Sequence, residues 1–334
     1  MEILIVGPSW LGDAVMMGSL VQRLKARAPA PMISVLAPTH LADLMARMPG
    51  VDAVLDNPFA HGALRLGDRW RLGRSLAGRF DQAIVLPHSF KSALVPAFAG
   101  VPTRTGFVGE ARQMLLNDAR ALDEARLPRM VDRFCLLSEP PGAETPAETP
   151  SPRLTASAAN IAAARAAFAL DERPAVALCV GAEYGPAKRW PARHFAALAQ
   201  RLAGEGLAVW LLGSPADAPI GAEIEALAPG SAANLVGRTS LGQAIDLIAG
   251  AAGVVSNDSG LMHVAAALDR PLAALYGSSS PTFTPPLSAK AAILSEDIAC
   301  SPCFERTCPL GHFKCLNDLA SERVGAALRS LMAA

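Results

Sequence analysis

Short apolar runs alternate along the chain with longer stretches whose apolar residues recur every three or four positions. Runs at 2–6, 32–36, 53–55 and 82–86 read as strands, and 13–27, 40–48, 70–78 and 89–99 read as helices. Strands that alternate with helices predict a parallel sheet. The strands are largely apolar throughout rather than at every second position, as expected where helices cover both faces. The alternation restarts with a helix at 156–169, strands at 175–180, 208–212, 253–256 and 272–276, and helices at 191–204, 220–227, 241–249 and 261–268. Between the two series lies EPPGAETPAETPSP, rich in proline and acid and without periodicity, which reads as a connection. The expectation is an α/β protein of two domains, 1–155 and 156–320, with a terminal helix at 321–334 packing back on the first.

A length of 334 residues, more than one hydrophobic core usually organises, agrees with two domains. Lysine plus arginine and aspartate plus glutamate each number 30, which argues against a general nucleic-acid binder; an acidic ligand must be met locally. MEILIVGPSW carries no basic segment before its apolar run and reads as a first strand rather than a signal peptide. No apolar stretch reaches bilayer length. These features predict a cytoplasmic protein, in which cysteines are not expected as disulfide staples.

In open parallel sheets ligands bind at the carboxyl ends of strands, so the strand-to-helix loops hold the candidate chemistry. GPSWLGD, at 7–13, follows the first strand and places Asp13 where a helix begins; it lacks the GxGxxG of dinucleotide binders. Asp13 suits a simple helix cap or the carboxylate of a group-transfer cleft. SNDSGLMH, at 256–263, lies between a buried strand and a helix start. Its amide donors near Ser259, Gly260 and Leu261 suit a diphosphate, with a capped tight turn as the alternative. His263 reads equally as a core histidine or a phosphate donor. GAEYGPAKRWP, at 181–191, offers Lys188 and Arg189 to a leaving diphosphate or to solvent. LLGSPAD ends in Asp217, a weak candidate for ribose hydroxyls.

GPSWLGDAVM, GAEYGPAKRWP and NDSGLMHVAAALDRPLAALYGSSSPTFTPP occur in this order and resemble the successive signatures of glycosyltransferase family 9, the heptosyltransferases. The resemblance runs from the first strand to about Pro286. It implies a GT-B glycosyltransferase fold, two Rossmann-like domains with parallel sheets facing a central cleft. It implies ADP-L-glycero-D-manno-heptose as donor and, from the forms PSWLGD and NDSGLMH, heptosyl-Kdo2-lipid A as acceptor rather than another core acceptor. By position Asp13 matches the family's catalytic base and Lys188 its phosphate-contacting lysine. Asp258, Ser259, Gly260, Leu261 and His263 fall in its donor-binding segment, and Asp217 falls loosely near the adenosine ribose. The implied mechanism is inverting single displacement without a required cofactor, Lys188 and the helix start near Ser259 stabilising the departing ADP.

For the acceptor the first half offers Gly12, His88, Ser89 and Lys91, and the turn TRTGF with Arg104, whose cations suit Kdo carboxylates or core phosphates. RLGDRWRLGRSLAGRF, richer in arginine than its surroundings, suits an anionic membrane surface or a solvated helix face. A lipid-linked acceptor implies peripheral work at the inner face of the inner membrane. One segment stands outside this reading. CSPCFERTCPLGHFKC brings Cys300, Cys303, Cys308 and Cys315 together and raises a structural zinc, with His312 able to replace one thiolate, against free or reversibly oxidised thiols. Cys135 and Cys179 read as ordinary buried cysteines.

Overall fold

The computed structural model describes residues 1–59 and 62–333 and divides into two units, Met1–Arg153 and Leu154–Ala334, of which Ala334 itself lies outside the described residues. The first unit runs β1 Glu2–Val6, α1 Leu11–Lys25, β2 Met32–Ala37, α2 Ala42–Met45, β3 Ala53–Asp56, α3 Leu66–Ser75, β4 Gln82–Val85, α4 Leu94–Phe98, β5 Thr103–Phe107, β6 Asp118–Arg120 and α5 Met130–Leu136. Its six strands are all parallel in the order β3-β2-β1-β4-β5-β6. The order reverses beside β1, whose Val6 pairs with Val85 of β4, so the loops after β1 and β4 part there and leave a crevice.

TRTGF, expected as a turn, is strand β5. Its polar residues are tolerated inside because Thr105, fully buried, accepts a hydrogen bond from Gln82 Nε2 at 3.0 Å. Leu4, Val6, Leu36, Val85 and Val95 form a core between the sheet and its helices. The close approach of α3 to α4 depends on Gly73, where a Cβ would stand 2.5 Å from Phe98 Cβ. The proline- and acid-rich connection is held to its own unit: Arg23 pairs with Glu139, Gln22 donates to the Ser151 carbonyl at 2.8 Å and Thr149 to Asp132 at 2.7 Å.

The second unit repeats the pattern: α6 Ala158–Ala167, β7 Ala175–Cys179, α7 Ala192–Gly204, β8 Ala208–Leu212, α8 Ala218–Leu227, β9 Ala233–Asn234, α9 Leu241–Ala249, β10 Gly253–Asn257, α10 Gly260–Ala267, β11 Leu272–Leu275, β12 Ala291–Leu294, α11 Lys314–Asn317 and α12 Ser321–Ala333. The sheet is again parallel, in the order β12-β11-β10-β7-β8-β9, and its order reverses between β7 and β10. The terminal helix, expected against the first domain, buries Val324 and Leu328 in the core of the second unit with Val176, Leu198 and Val255. Its small Gly253 neighbour on β10 makes room, since a Cβ there would meet Leu328 Cδ1 at 2.9 Å. Each fully buried aliphatic side chain of this kind contributes about 1.5–3 kcal/mol of transfer free energy, which accounts for where the helix settles.

Candidate active site

In the first unit the crevice beside β1 is a cavity of 650 Å³, and among its lining residues are Gly7, Trp10, Asp13, His88, Ser89 and Lys91. Asp13 is the third residue of α1, not the residue that precedes the helix. The helix's first turn, with its unpaired amides, is an environment that favours a carboxylate. Gly12 lies beside it in the same turn.

The wall after β4 is rigid for reasons that the sequence did not advertise. Arg112, fully buried, donates from Nε and Nη2 to the Phe107 carbonyl at 2.8 and 2.6 Å, and from Nη1 to the Pro87 carbonyl and to Ser92 Oγ. Burial pulls its pKa down to about 10, against the raising effect of Glu110. Ser92 Oγ in turn donates to the Pro87 and Ser89 carbonyls, and Glu110 accepts the Phe90 amide at 2.9 Å. The imidazole of His88 is pushed toward its neutral form by burial and then by the Arg112 and Arg133 charges.

Arg69 fixes the opposite wall. It is buried, lies 4.0 Å from the Phe59 ring centroid, and donates to the Ala63, Leu64 and Lys91 carbonyls. Its arginine-rich neighbourhood was read as surface, but this member has gone inside because three carbonyls consume its donors. Arg104, expected at the acceptor, is not among the cavity's lining residues. Its guanidinium bonds the Leu115 and Val101 carbonyls, both at 2.6 Å, and it ties β5 to the following turn.

In the second unit the loops after β7 and β10 meet at the reversal of strand order. Lys188 Nζ donates to Asp258 Oδ2 at 2.6 Å, and Ser279 Oγ donates to the same oxygen. Asn257, fully buried, accepts the Trp190 amide at 2.9 Å and donates to the Val180 carbonyl at 2.8 Å, so the end of β10 is stitched to the loop that carries Lys188. Ser259 precedes α10 in extended conformation without capping it by its own side chain. The first amides of α10, at Gly260 and Leu261, therefore remain available beside Lys188. His263 is 5% exposed, and its pKa is lowered to about 4, first by burial, with Asp258 opposing and Lys188 assisting. It is thus a neutral imidazole at physiological pH rather than a cation for phosphate.

Asp217, proposed for ribose, is 5% exposed and closes a capping box with Ser214, whose amide and hydroxyl both bond Oδ2, at 2.9 and 2.6 Å. Its other oxygen faces Arg189 Nη2 at 3.6 Å. Gly181 lies directly over this carboxylate: a Cβ there would fall 2.2 Å from Asp217 Oδ2. Asp217 therefore anchors its own loop through Oδ2, while Oδ1 has no hydrogen-bond partner among the described residues.

Among the described residues no three histidine, cysteine or acidic side chains come together to hold an ion, although Cys315, whose pKa is raised by burial, also feels the charges of Cys308, Cys300 and Cys303. Cys300, Cys303, Cys308 and Cys315 are free thiols. The main chain of this stretch is bonded onto the loops after β7 and β11, Phe304 N–H to the Ser278 carbonyl and Ala187 N–H to the Arg306 carbonyl. Cys308 Sγ accepts the Phe313 amide at 3.4 Å, and such amide donors lower its pKa. Cys135 and Cys179 are buried, both with pKa raised by burial to about 12.

A Rossmann-like sheet used twice, with the working loops of each copy at its switch point, is the architecture of the GT-B glycosyltransferases, and this is the class to which the molecule conforms. Residues 69–314 match the family described as glycosyltransferase family 9 (heptosyltransferase). Lipopolysaccharide heptosyltransferase 2 of Salmonella typhimurium is 47% identical over 343 aligned positions, covering 99% of each chain, and that of Escherichia coli K12 shows the same identity and coverage. The solved structure of E. coli ADP-heptose LPS heptosyltransferase II superposes with a TM-score of 0.91 at 44% identity, over 100% of this chain and 99% of that one. The chain belongs to glycosyltransferase family 9 and is a glycosyltransferase.

Proposed function

We propose that this enzyme moves L-glycero-D-manno-heptose from ADP-heptose to the first heptose of heptosyl-Kdo2-lipid A, with inversion at the anomeric carbon. Support for the substrates comes from the full-length likeness to lipopolysaccharide heptosyltransferase 2 proteins. The observation that carries the chemistry is Lys188, partly buried and held in place by the buried Asp258, beside the first turn of α10, whose amides face the diphosphate position.

Asp13 takes the proton of the acceptor hydroxyl as its oxygen attacks the anomeric carbon. The bond from that carbon to the diphosphate oxygen breaks, and ADP leaves with the electron pair. General-base assistance of this kind contributes about 10²–10⁴-fold. Lys188, held by Asp258, and the α10 amides stabilise the negative charge that grows on ADP, while His88, Ser89 and Lys91 receive the acceptor core. Incubating the protein with ADP-heptose and heptosyl-Kdo2-lipid A, followed by mass and anomeric analysis of the product, tests this reading. One added heptose of inverted configuration is expected; transfer only to a different core acceptor would place the enzyme with another branch of the family.

No described helix is long and apolar enough to cross a membrane. Peripheral contact at the inner face of the inner membrane is assigned to α3. Leu64 at the cavity wall and Leu66 and Trp70, one helical turn apart, are each at least 50% exposed, and Arg71 and Arg74 are exposed beside them. Apolar tips flanked by arginines suit an interface of anionic lipid. Trp70→Ser should lower sedimentation with phosphatidylglycerol vesicles and leave transfer to a detergent-dispersed acceptor unchanged; equal sedimentation would remove α3 from this role.

A further inference from the structure

The pairing that fixes Lys188 also neutralises it. Lys188 and Asp258 together carry no net charge, and Arg189 faces Asp217. A departing nucleoside diphosphate carries more than one negative charge, so this arrangement leaves most of it uncompensated. A further cation stands nearby on the segment that the transfer chemistry has not used. The guanidinium of Arg306 lies 5.2 Å from the ring centroid of Tyr184, and Lys188 Nζ lies 5.0 Å from the same centroid. Arg306 is exposed and has no ion-pair partner among the described residues.

Its placement is built rather than incidental. The Arg306 carbonyl accepts the Ala187 amide at 3.0 Å, one residue before Lys188, and Gly185 permits the approach, because a Cβ there would stand 2.4 Å from that oxygen. Tyr184 is anchored by its hydroxyl, which donates to the Phe304 carbonyl at 2.6 Å. Phe304 N–H donates to the Ser278 carbonyl at 2.6 Å, next to the Ser279 that bonds Asp258. Two cations thus share one aromatic ring, whose quadrupole holds them near each other before any anion arrives.

We propose that Arg306 is a second diphosphate-binding cation of the donor site, with Tyr184 as the positioning residue that sets Arg306 and Lys188 to receive one anion between them. Arginine suits this task because its planar fork bonds two phosphate oxygens at once. The inference rests on the donor-site reading above and adds to it the free positive charge that the Lys188–Asp258 pair lacks. The cysteine-bearing stretch then has a function that needs no metal: its main chain delivers Arg306.

The test is calorimetric titration of the full chain with ADP, adenosine serving as the control ligand, for wild type, Arg306→Gln, Arg306→Lys, Tyr184→Leu and Lys188→Ala. Arg306→Gln should weaken ADP about tenfold or more, the size expected for a lost charge-assisted bond, and leave adenosine within about twofold. It should also flatten the salt dependence of ADP binding, and Arg306→Lys should recover part of the loss. Tyr184→Leu should weaken ADP and raise the KM for ADP-heptose more than it lowers kcat. The substituted arginine side chain is exposed and its carbonyl bond is retained, so a melting temperature near that of wild type is expected. ADP affinity unchanged in Arg306→Gln but lost in Lys188→Ala would overturn the inference and leave the donor site standing. Affinity unchanged in both would overturn the donor-site reading itself.

Discussion

The two units use one topology and fill its switch point in opposite ways. In the first, the loops after β1 and β4 stand apart around a 650 Å³ cavity, and their rigidity comes from buried arginines, Arg69 and Arg112, that bond backbone carbonyls and, among the described residues, have no carboxylate at hydrogen-bond distance. In the second, the corresponding loops are drawn together by side chains, Lys188 to Asp258 and Asn257 to Val180 and Trp190, into a compact cradle. Topology sets where a ligand binds in such sheets. The side chains decide whether that address is an open cavity, which we propose for the acceptor, or a cluster of tied polar groups, which we propose for the diphosphate.

This contrast can be broken from either side. The larger effect on ADP affinity is expected at Gly181, where an added methyl collides with the buried Asp217 carboxylate and must displace the loop that leads to Lys188. Gly181→Ala should weaken ADP by about tenfold or more, about 1.4 kcal/mol, while Asp13 and the first-unit cavity are untouched. Isothermal titration with ADP checks this; unchanged affinity would mean that the loop yields without moving Lys188.

Arg112→Met offers the converse. It orphans the Phe107 and Pro87 carbonyls, each worth about 1–3 kcal/mol when left unpaired inside, so urea unfolding should show a loss of about 2–4 kcal/mol. The KM for acceptor should rise, and ADP affinity should stay as in wild type.

The smallest effect concerns His263. Its pKa of about 4 in the folded chain lies below the 6.5 of an unperturbed histidine, so between these values the unfolded chain binds the extra proton. The stability this group contributes is complete above pH 6.5 and is lost as pH falls toward 4. His263→Asn should flatten that part of the stability profile in thermal melts. It should leave ADP binding between pH 7 and 8 without a new titration, because the imidazole is already neutral there.

Much of this was legible in the chain itself. The alternation of apolar runs marked β1, β2, β4, β7, β8, β10 and β11, which are buried on both faces, and also β3, a short apolar run at the sheet edge that is largely exposed. The strands β6, β9 and β12 escaped notice: they are three, two and four residues long and only partly buried, and β6 and β9 carry no apolar run, while β12, apolar throughout, is short and stands in a stretch without the helix-strand alternation. Asp13, Lys188 and Asp258 stood out as charges at strand ends. The arginines that brace the first cavity did not, since an arginine that bonds only carbonyls looks in sequence like any surface cation. Asp217 is ambiguous in sequence for a related reason: a carboxylate at a loop's end is equally a cap, and the structure adds its capping box with Ser214. The cysteines suggest a metal by their spacing, while the backbone bonds that tie their segment to the loops after β7 and β11 leave no trace in sequence.

The central claim is that Asp13, in the first turn of α1, removes the acceptor proton while the second unit holds the donor. Single-turnover transfer from ADP-heptose to heptosyl-Kdo2-lipid A by wild type and Asp13→Asn, with ADP affinity measured on both, tests it most directly. Transfer slowed by about 10²-fold or more with ADP affinity preserved is the expected result, because the variant keeps the side chain's shape and loses only its basicity. Transfer at the wild-type rate would contradict the account and leave Asp13 as part of the helix start alone.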